Sequence, residues 1–270
     1  MTTYGPGLDY DEALDVLSHA LSNVAPGEYV NPSKLQIDAE GHITHIEAGP
    51  HSGYIEGLGF QYESGTSVRV LPGAAQVPGL GKIVKLTSDQ IVPSSSGNAD
   101  DIFHYYLREI NNIGFVEAST DPPSVYFGMA MNKGGDLFGR YIGMLRRRLS
   151  VIEPFTCDER GKTLRMLYET PPQIVSAPGG TAAGSKNIGI GASLAADRWV
   201  APNTVSVIVE ASANGVAKVG HAPTLAASRT VRSATLSEYD VALSPGQLLE
   251  YTTDASVTLT VNLVGYHLNR

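Results

Sequence analysis

Residues 257–264 read Val-Thr-Leu-Thr-Val-Asn-Leu-Val. Successive side chains of a β-strand point to opposite faces. Val257, Leu259, Val261 and Leu263 therefore share one face, and Thr258, Thr260 and Asn262 share the other. One apolar face and one hydroxyl- and amide-bearing face is the pattern of a half-buried antiparallel strand. Val205, Val207 and Val209, with Ser206 between them, repeat it. Turn signals at Asn214-Gly215 and Ser244-Pro-Gly246 separate further short strands, and strands at this spacing predict a small β-sandwich over residues 192–270.

The same grammar extends upstream. Leu35-Gln-Ile-Asp, His42-Ile-Thr-His-Ile-Glu, Ser67-Val-Arg-Val-Leu and Lys82-Ile-Val-Lys-Leu are short strand-like runs between glycines, with Asp38-Ala-Glu-Gly-His as a hairpin turn. Aromatic and β-branched runs follow at Asp101–Ile110, Ser124–Ala130 and Gly139–Arg146, and three paired strands are the economical reading. Residues 171–191 are rich in Pro, Gly, Ala and Ser, which predicts a linker. In residues 1–30, Leu14, Leu17 and Leu21 fall on one helical face among Asp9, Asp11, Glu12 and Asp15, and Pro26-Gly27 closes the segment. The expected fold is mainly β. It comprises a short N-terminal helix for docking (1–30), a central β-rich assembly domain (31–170), the linker (171–191) and the C-terminal sandwich (192–270).

Composition narrows the function classes. The chain has 270 residues, 42% hydrophobic and 17% charged, which is too apolar for disorder. A formal net charge of -8 repels a polyanion, so nucleic acid is not expected as a partner. No apolar run reaches the roughly 18 residues of a membrane span, and the opening residues lack a secretory pattern, so synthesis in the cytoplasm and no membrane insertion are expected. The single cysteine, Cys157, stands beside Asp158 and Glu159, which disfavour its thiolate.

Chemistry-bearing residues are few, and a catalytic site needs a paired nucleophile and base, paired acids or clustered ligands. His42, His45 and His51 are the closest histidine group, but the first two point to opposite faces of a strand, so no metal is expected. Gly179-Gly-Thr-Ala-Ala-Gly-Ser-Lys lacks the Gly-Lys-Ser/Thr ending of a phosphate loop. Asp136, Glu153, Asp158 and Glu159 are available acids that nothing in the sequence pairs, as a polysaccharide-cleaving enzyme would require. Arg146, Arg147 and Arg148, with Arg140 upstream, read as a solvated strand end; the alternative is contact with phosphate or an acidic partner. Tyr105, Tyr106, Tyr126, Tyr141 and Tyr168 suit core and interface packing, with sugar stacking as the alternative. No catalytic, cofactor or metal residue is assigned, and a non-enzymatic protein is expected.

His104-Tyr-Tyr-Leu-Arg, the turn Ser119-Thr-Asp-Pro-Pro, Gly134-Gly-Asp and Arg140-Tyr-Ile-Gly-Met-Leu-Arg, followed by Ile152 and Phe155, resemble a domain of phage tail-fibre, baseplate and head-fibre proteins. The resemblance spans about residues 35 to 170. It implies a virion structural protein, homotrimeric, attached to other virion proteins through residues 1–30 and exposing its C-terminal domain to a host surface glycan or protein. The chain has no collagen-like or coiled-coil shaft, so fibre, baseplate piece and head or capsid decoration all remain open.

Overall fold

The computed structural model describes residues 53–94, 101–127, 130–160, 163–177, 183–189, 199–220, 228–232, 235–243, 247–254 and 256–270, with the backbone of 8–11, 16–19, 34–37 and 43–47. The described residues are mainly β and build antiparallel sheets. Strands β1 (Leu8–Asp11) and β2 (Val16–His19) pair antiparallel, with Leu8 opposite His19. The helix expected over 1–30 is therefore corrected. A single short helix is marginal in water, and Val, Ser and His at positions 16, 18 and 19 are weak helix formers that strand pairing accommodates. Strands β3 (Lys34–Ile37) and β4 (Ile43–Glu47) pair on either side of the predicted turn, which itself lies outside the described residues.

Two three-stranded sheets follow. Strands β5 (Ile55–Gly57), β6 (Phe60–Ser64), β7 (Ser67–Val70), β8 (Gly73–Val77), β9 (Lys82–Leu86) and β10 (Gln90–Pro93) arrange as β5-β8-β9 and β10-β7-β6, with a 3-10 turn at Pro78–Leu80. The aromatic runs form the next sheet. Strands β11 (Ile102–Ile110), β12 (Ile113–Ser119), β13 (Pro123–Phe127), β14 (Ala130–Lys133) and β15 (Asp136–Arg148) lie in the order β12-β11-β15-β14-β13, and β16 (Val151–Ile152) pairs with β15. The three expected runs thus share one sheet, with β11 beside β15, but Ser124–Ala130 is divided between β13 and β14, and β14 lies between β15 and β13. The edge strand β12 is closed by a side chain: the Gln90 amide donates to Val116 O at 3.0 Å and accepts from Val116 N at 2.7 Å.

Strands β17 (Phe155–Arg160), β18 (Thr163–Tyr168), β19 (Gln173–Ala177), β20 (Ala183–Asn187), β21 (Thr204–Ala213), β22 (Ala217–Gly220), β23 (Arg229–Val231), β24 (Ser237–Ala242), β25 (Leu248–Thr253) and β26 (Leu259–Asn269) complete the chain. They form one sheet β17-β18-β26-β21-β24, with β19 also on β26, and a second sheet β20-β25-β22-β23. The linker expected at 171–191 is corrected where it is described. Gln173–Ala177 pairs with β26, and Ala183–Asn187 pairs with β25. Gly184 is opposite Tyr251, whose ring occupies the space a side chain there would need, so the small residue serves packing rather than mobility. The sheet also joins 155–168 to 259–269, across the boundary the composition suggested.

The periodic reading of β26 stands with one adjustment. Val257, Leu259, Val261 and Leu263 are buried, but β21 slips register between Ile208 and Val209, so beyond Val264 the inward positions become Tyr266 and Leu268. The companion reading holds for Val207 and Val209, whereas Val205 is exposed because the register also shifts between Thr204 and Ser206. A single buried apolar cluster runs from Ile55 to Leu268.

Candidate functional site

An open groove of about 970 Å³ lies along β5, the Pro72-Gly73 corner and the end of β9, with Glu159 of β17 on its wall. Glycine shapes its floor. Gly57 adopts φ +66°, and a Cβ there would come within 2.5 Å of Pro72 O, while one on its partner Gly73 would collide with Leu58 N. Only glycine permits this backbone approach, which leaves bare main chain between the polar side chains.

Four polar groups face the groove with Tyr54: Glu56, Lys85, Thr87 and Glu159. Tyr54 donates its hydroxyl to Glu56 Oε2 at 2.6 Å, and this bond to a carboxylate is the main cause of a raised phenol pKa. Glu159 is held from behind. Arg270 Nη2 meets its Oε1 at 3.1 Å, and Arg270 Nη1 donates to Gly57 O at 2.9 Å and Leu58 O at 3.2 Å. The Arg270 side chain has no exposed surface, so burial lowers its pKa, and Glu159 opposes that shift. The groove thus combines carboxylate acceptors, an ammonium donor, a hydroxyl and an aromatic ring. Its lining contains no histidine or cysteine.

Of the four acids singled out in the sequence, only Glu159 reaches this groove. Asp136 Oδ2 bonds Arg108 at 2.8 Å, Glu153 Oε1 lies 3.5 Å from Arg148, and Asp158 is in register with Arg165. Glu159's companion, Glu56, was not singled out. The only local signal was Gly57-Leu-Gly59, and nothing in the sequence marks Arg270 as the anchor.

The arginine cluster is corrected. Arg140, Arg146 and Arg147 are buried, and only Arg148 faces solvent. Their strand, β15, is buried without a break from Gly139 to Arg147, so of the cluster only its last residue, Arg148, reaches solvent. Arg146 places its guanidinium carbon 3.4 Å from the Trp199 ring centre, a close cation–π stack, and Arg147 lies 5.9 Å from that of Phe103. Arg140 Nε and Nη2 have no hydrogen-bond partner among the described residues. Burial first, and repulsion from Arg270 second, push its pKa down to about 10.

The tyrosines are scaffold. Tyr105 shares a 2.7 Å hydrogen bond with Ser94 Oγ, Tyr106 donates to Asp121 O at 2.6 Å, and Tyr168 donates to Trp199 O at 2.8 Å. Tyr141 is buried against His104 and Tyr106, and burial raises the pKa of each of these four phenols. Tyr126 alone of the five is exposed. Cys157 has a raised thiol pKa, chiefly from burial, with Glu159 and Asp158 adding to it.

His42 and His51 lie outside the described residues, and His45 is described only as backbone in β4. Among the described residues, no three His, Cys, Asp or Glu side chains gather to hold a metal ion. Gly179 and Gly180 also lie outside, while Ser185 and Lys186 sit in strand β20 rather than at a helix start. No helix among the described residues is long and apolar enough to cross a membrane. The chain matches no known family model and no curated protein sequence.

Proposed function

We propose that this chain is a structural protein of a tailed-phage virion, a tail-fibre or baseplate component that assembles as a homotrimer and presents a β-sandwich to the host. Residues 1–30 are its contact with other virion proteins. The supporting observation is the double-sided burial of the central sheet, where the segments that resemble phage fibre proteins, His104–Arg108 and Arg140–Arg146, are hydrogen-bonded neighbours. A stiff block of stacked sheets suits load-bearing assembly better than substrate turnover. In this reading the sheets β17-β18-β26-β21-β24 and β20-β25-β22-β23, which draw in strands from 155–187 as well as from 192–270, supply the layers of the sandwich. The Tyr54–Glu159 groove, with its mixed donors and acceptors, is the surface whose chemistry suits a host glycan.

The test is immunogold labelling of intact particles with an antibody against residues 192–270. Gold at the tail tip supports the reading. Gold over the head replaces it with a head-fibre or capsid decoration protein, and unlabelled particles that lack the chain by mass spectrometry overturn the virion assignment. One observation favours a polysaccharide depolymerase as a second reading: Glu56 and Glu159 line one groove, as the two acids of a glycosidase would. Release of reducing sugar from host capsule, lost in Glu56→Gln, is its signature.

A further inference from the structure

Lys82 opens strand β9, and its ammonium meets two groups of the β11–β12 hairpin, which belongs to a different sheet. Nζ lies 2.9 Å from Oε1 of Glu109 and donates to Oδ1 of Asn112 at 3.2 Å. An amine, a primary amide and a carboxylate therefore converge where the two sheets meet. Backbone holds them there. Asn111 and Asn112, with φ of 52° and 64°, form the left-handed pair of a two-residue hairpin turn between Ile110 and Ile113, which are in register. Gly114, two residues further on, lies so close to β9 that a Cβ there would collide with the Lys85 carbonyl. The hairpin tip is thus pressed against the strand that carries Lys82.

These three groups suffice to join two side chains. The Asn112 carbonyl carbon stands one C=O bond beyond Oδ1, so Lys82 Nζ is no more than about 4.4 Å from it. The last torsion of an asparagine side chain is soft, and turning it brings the carbon to the roughly 3 to 3.5 Å of a near-attack geometry. The Glu109 side chain is 13% exposed against 45% for Lys82, so its carboxylate takes a proton from the ammonium on the side where water competes least.

We propose that Lys82 and Asn112 form an isopeptide bond, a covalent tie that the chain makes for itself between β9 and the β11–β12 hairpin, with Glu109 carrying the protons. Lys82 gives one proton to Glu109 Oε1, and the neutral amine attacks Asn112 Cγ to form the Nζ–Cγ bond. As the Cγ–Nδ2 bond breaks, a proton shed by Nζ passes to Nδ2, which leaves as ammonia. Ammonia takes up the first proton and departs as ammonium, and Glu109 is again a carboxylate. Atoms and charge balance without a co-reactant. Asn112 is exposed, so the ammonia escapes to solvent and even a slow reaction runs to completion.

This inference is independent of the virion reading. Its test is mass spectrometry of the full chain, intact and after trypsin, when freshly purified and after prolonged incubation at neutral pH. Wild type is expected to lose one ammonia and to yield a branched peptide joining 70–85 to 109–133, because trypsin does not cut at an acylated lysine. Lys82→Arg, which keeps the charge, and Asn112→Gly, which suits the left-handed turn, are expected to keep the wild-type circular dichroism and give no branched peptide. Glu109→Gln is expected to form it at least about tenfold more slowly. A wild type of unchanged mass overturns the bond. Ammonia loss without the branched peptide also overturns it, since an asparagine that closes on its own backbone gives the same mass. Branching in Glu109→Gln at the wild-type rate overturns the part assigned to Glu109.

Discussion

Strands β15 and β26 are the two longest strands among the described residues, and they carry burial in opposite ways. Along β26 the buried positions alternate with partly exposed ones, apart from the single slip at Val264. Along β15 every residue from Gly139 to Arg147 is buried, with no alternation. The cause is layering. On one side of β15, Gly143 leaves space for the Phe60 ring, which also packs edge-on against Tyr105 with centroids 5.2 Å apart. From β26, Tyr266 donates to Met144 O at 3.0 Å. A strand with both faces covered tolerates any residue that finds a partner, including arginine, whereas a strand with one face covered must write that face into its sequence.

The largest test of this contrast uses neighbouring positions. On β15, Met144→Ala and Leu145→Ala are adjacent and both buried, so each is expected to cost about 2 to 5 kcal/mol in urea unfolding. On β26, Val261→Ala is expected to cost about 2 kcal/mol, while its neighbour Thr260→Ala stays within about 0.5 kcal/mol. Equal costs at Val261 and Thr260 would break the comparison. Next in size is the covered edge: Gln90→Ala leaves the Val116 amide and carbonyl without their partner and is expected to cost about 2 kcal/mol in the same measurement.

Arg140 sharpens the point about polar residues on a covered strand. Two of its nitrogens lack partners among the described residues and its charge is disfavoured there. Arg140→Met is therefore expected to raise stability at neutral pH by about 1 to 2 kcal/mol. The sign follows from the lowered pKa: the charge penalty is complete below the folded-state value of about 10 and is relieved as pH rises through it, so the gain should shrink there. Tyr266→Phe removes one buried hydrogen bond between β26 and β15 and is expected to cost about 1 kcal/mol. The smallest effect is chemical. Because burial raises the Cys157 pKa, less thiolate is present at any given pH, so iodoacetamide should label the folded chain more slowly than a free cysteine, and unfolding in urea should abolish the difference.

Legibility followed the same division. Val257 to Leu263 could be read directly because one face of the strand meets solvent or a polar surface, and the aromatic runs at 101–110 and 139–146 declared themselves as strands by residue type. The burial of Arg140, Arg146 and Arg147 could not be read, because it depends on layers supplied by residues near 60 and 199. The linker reading failed on Gly184, whose smallness answers to a ring 67 positions away at Tyr251, and composition does not record long-range partners. Leu14, Leu17 and Leu21 gave a helical period, yet the backbone pairs 8–11 with 16–19, and a period over so few residues is satisfied by chance in a strand-forming chain. The groove was the least legible feature, since Glu56, Glu159 and Arg270 are brought together only by the folded chain.

The Gln90 amide against Val116 has a consequence for growth of the sheet. A side-chain amide presents the same donor and acceptor as a peptide group, so at that position β12 already has what an added strand would offer. Strand β13, at the far end of the order, carries no such plug among the described residues and begins with Pro123, which cannot donate. At Val116 an incoming strand finds both hydrogen-bonding groups already taken, and Pro123 removes a donor at the other margin, so each edge of the central sheet is blunted at one point against strand addition.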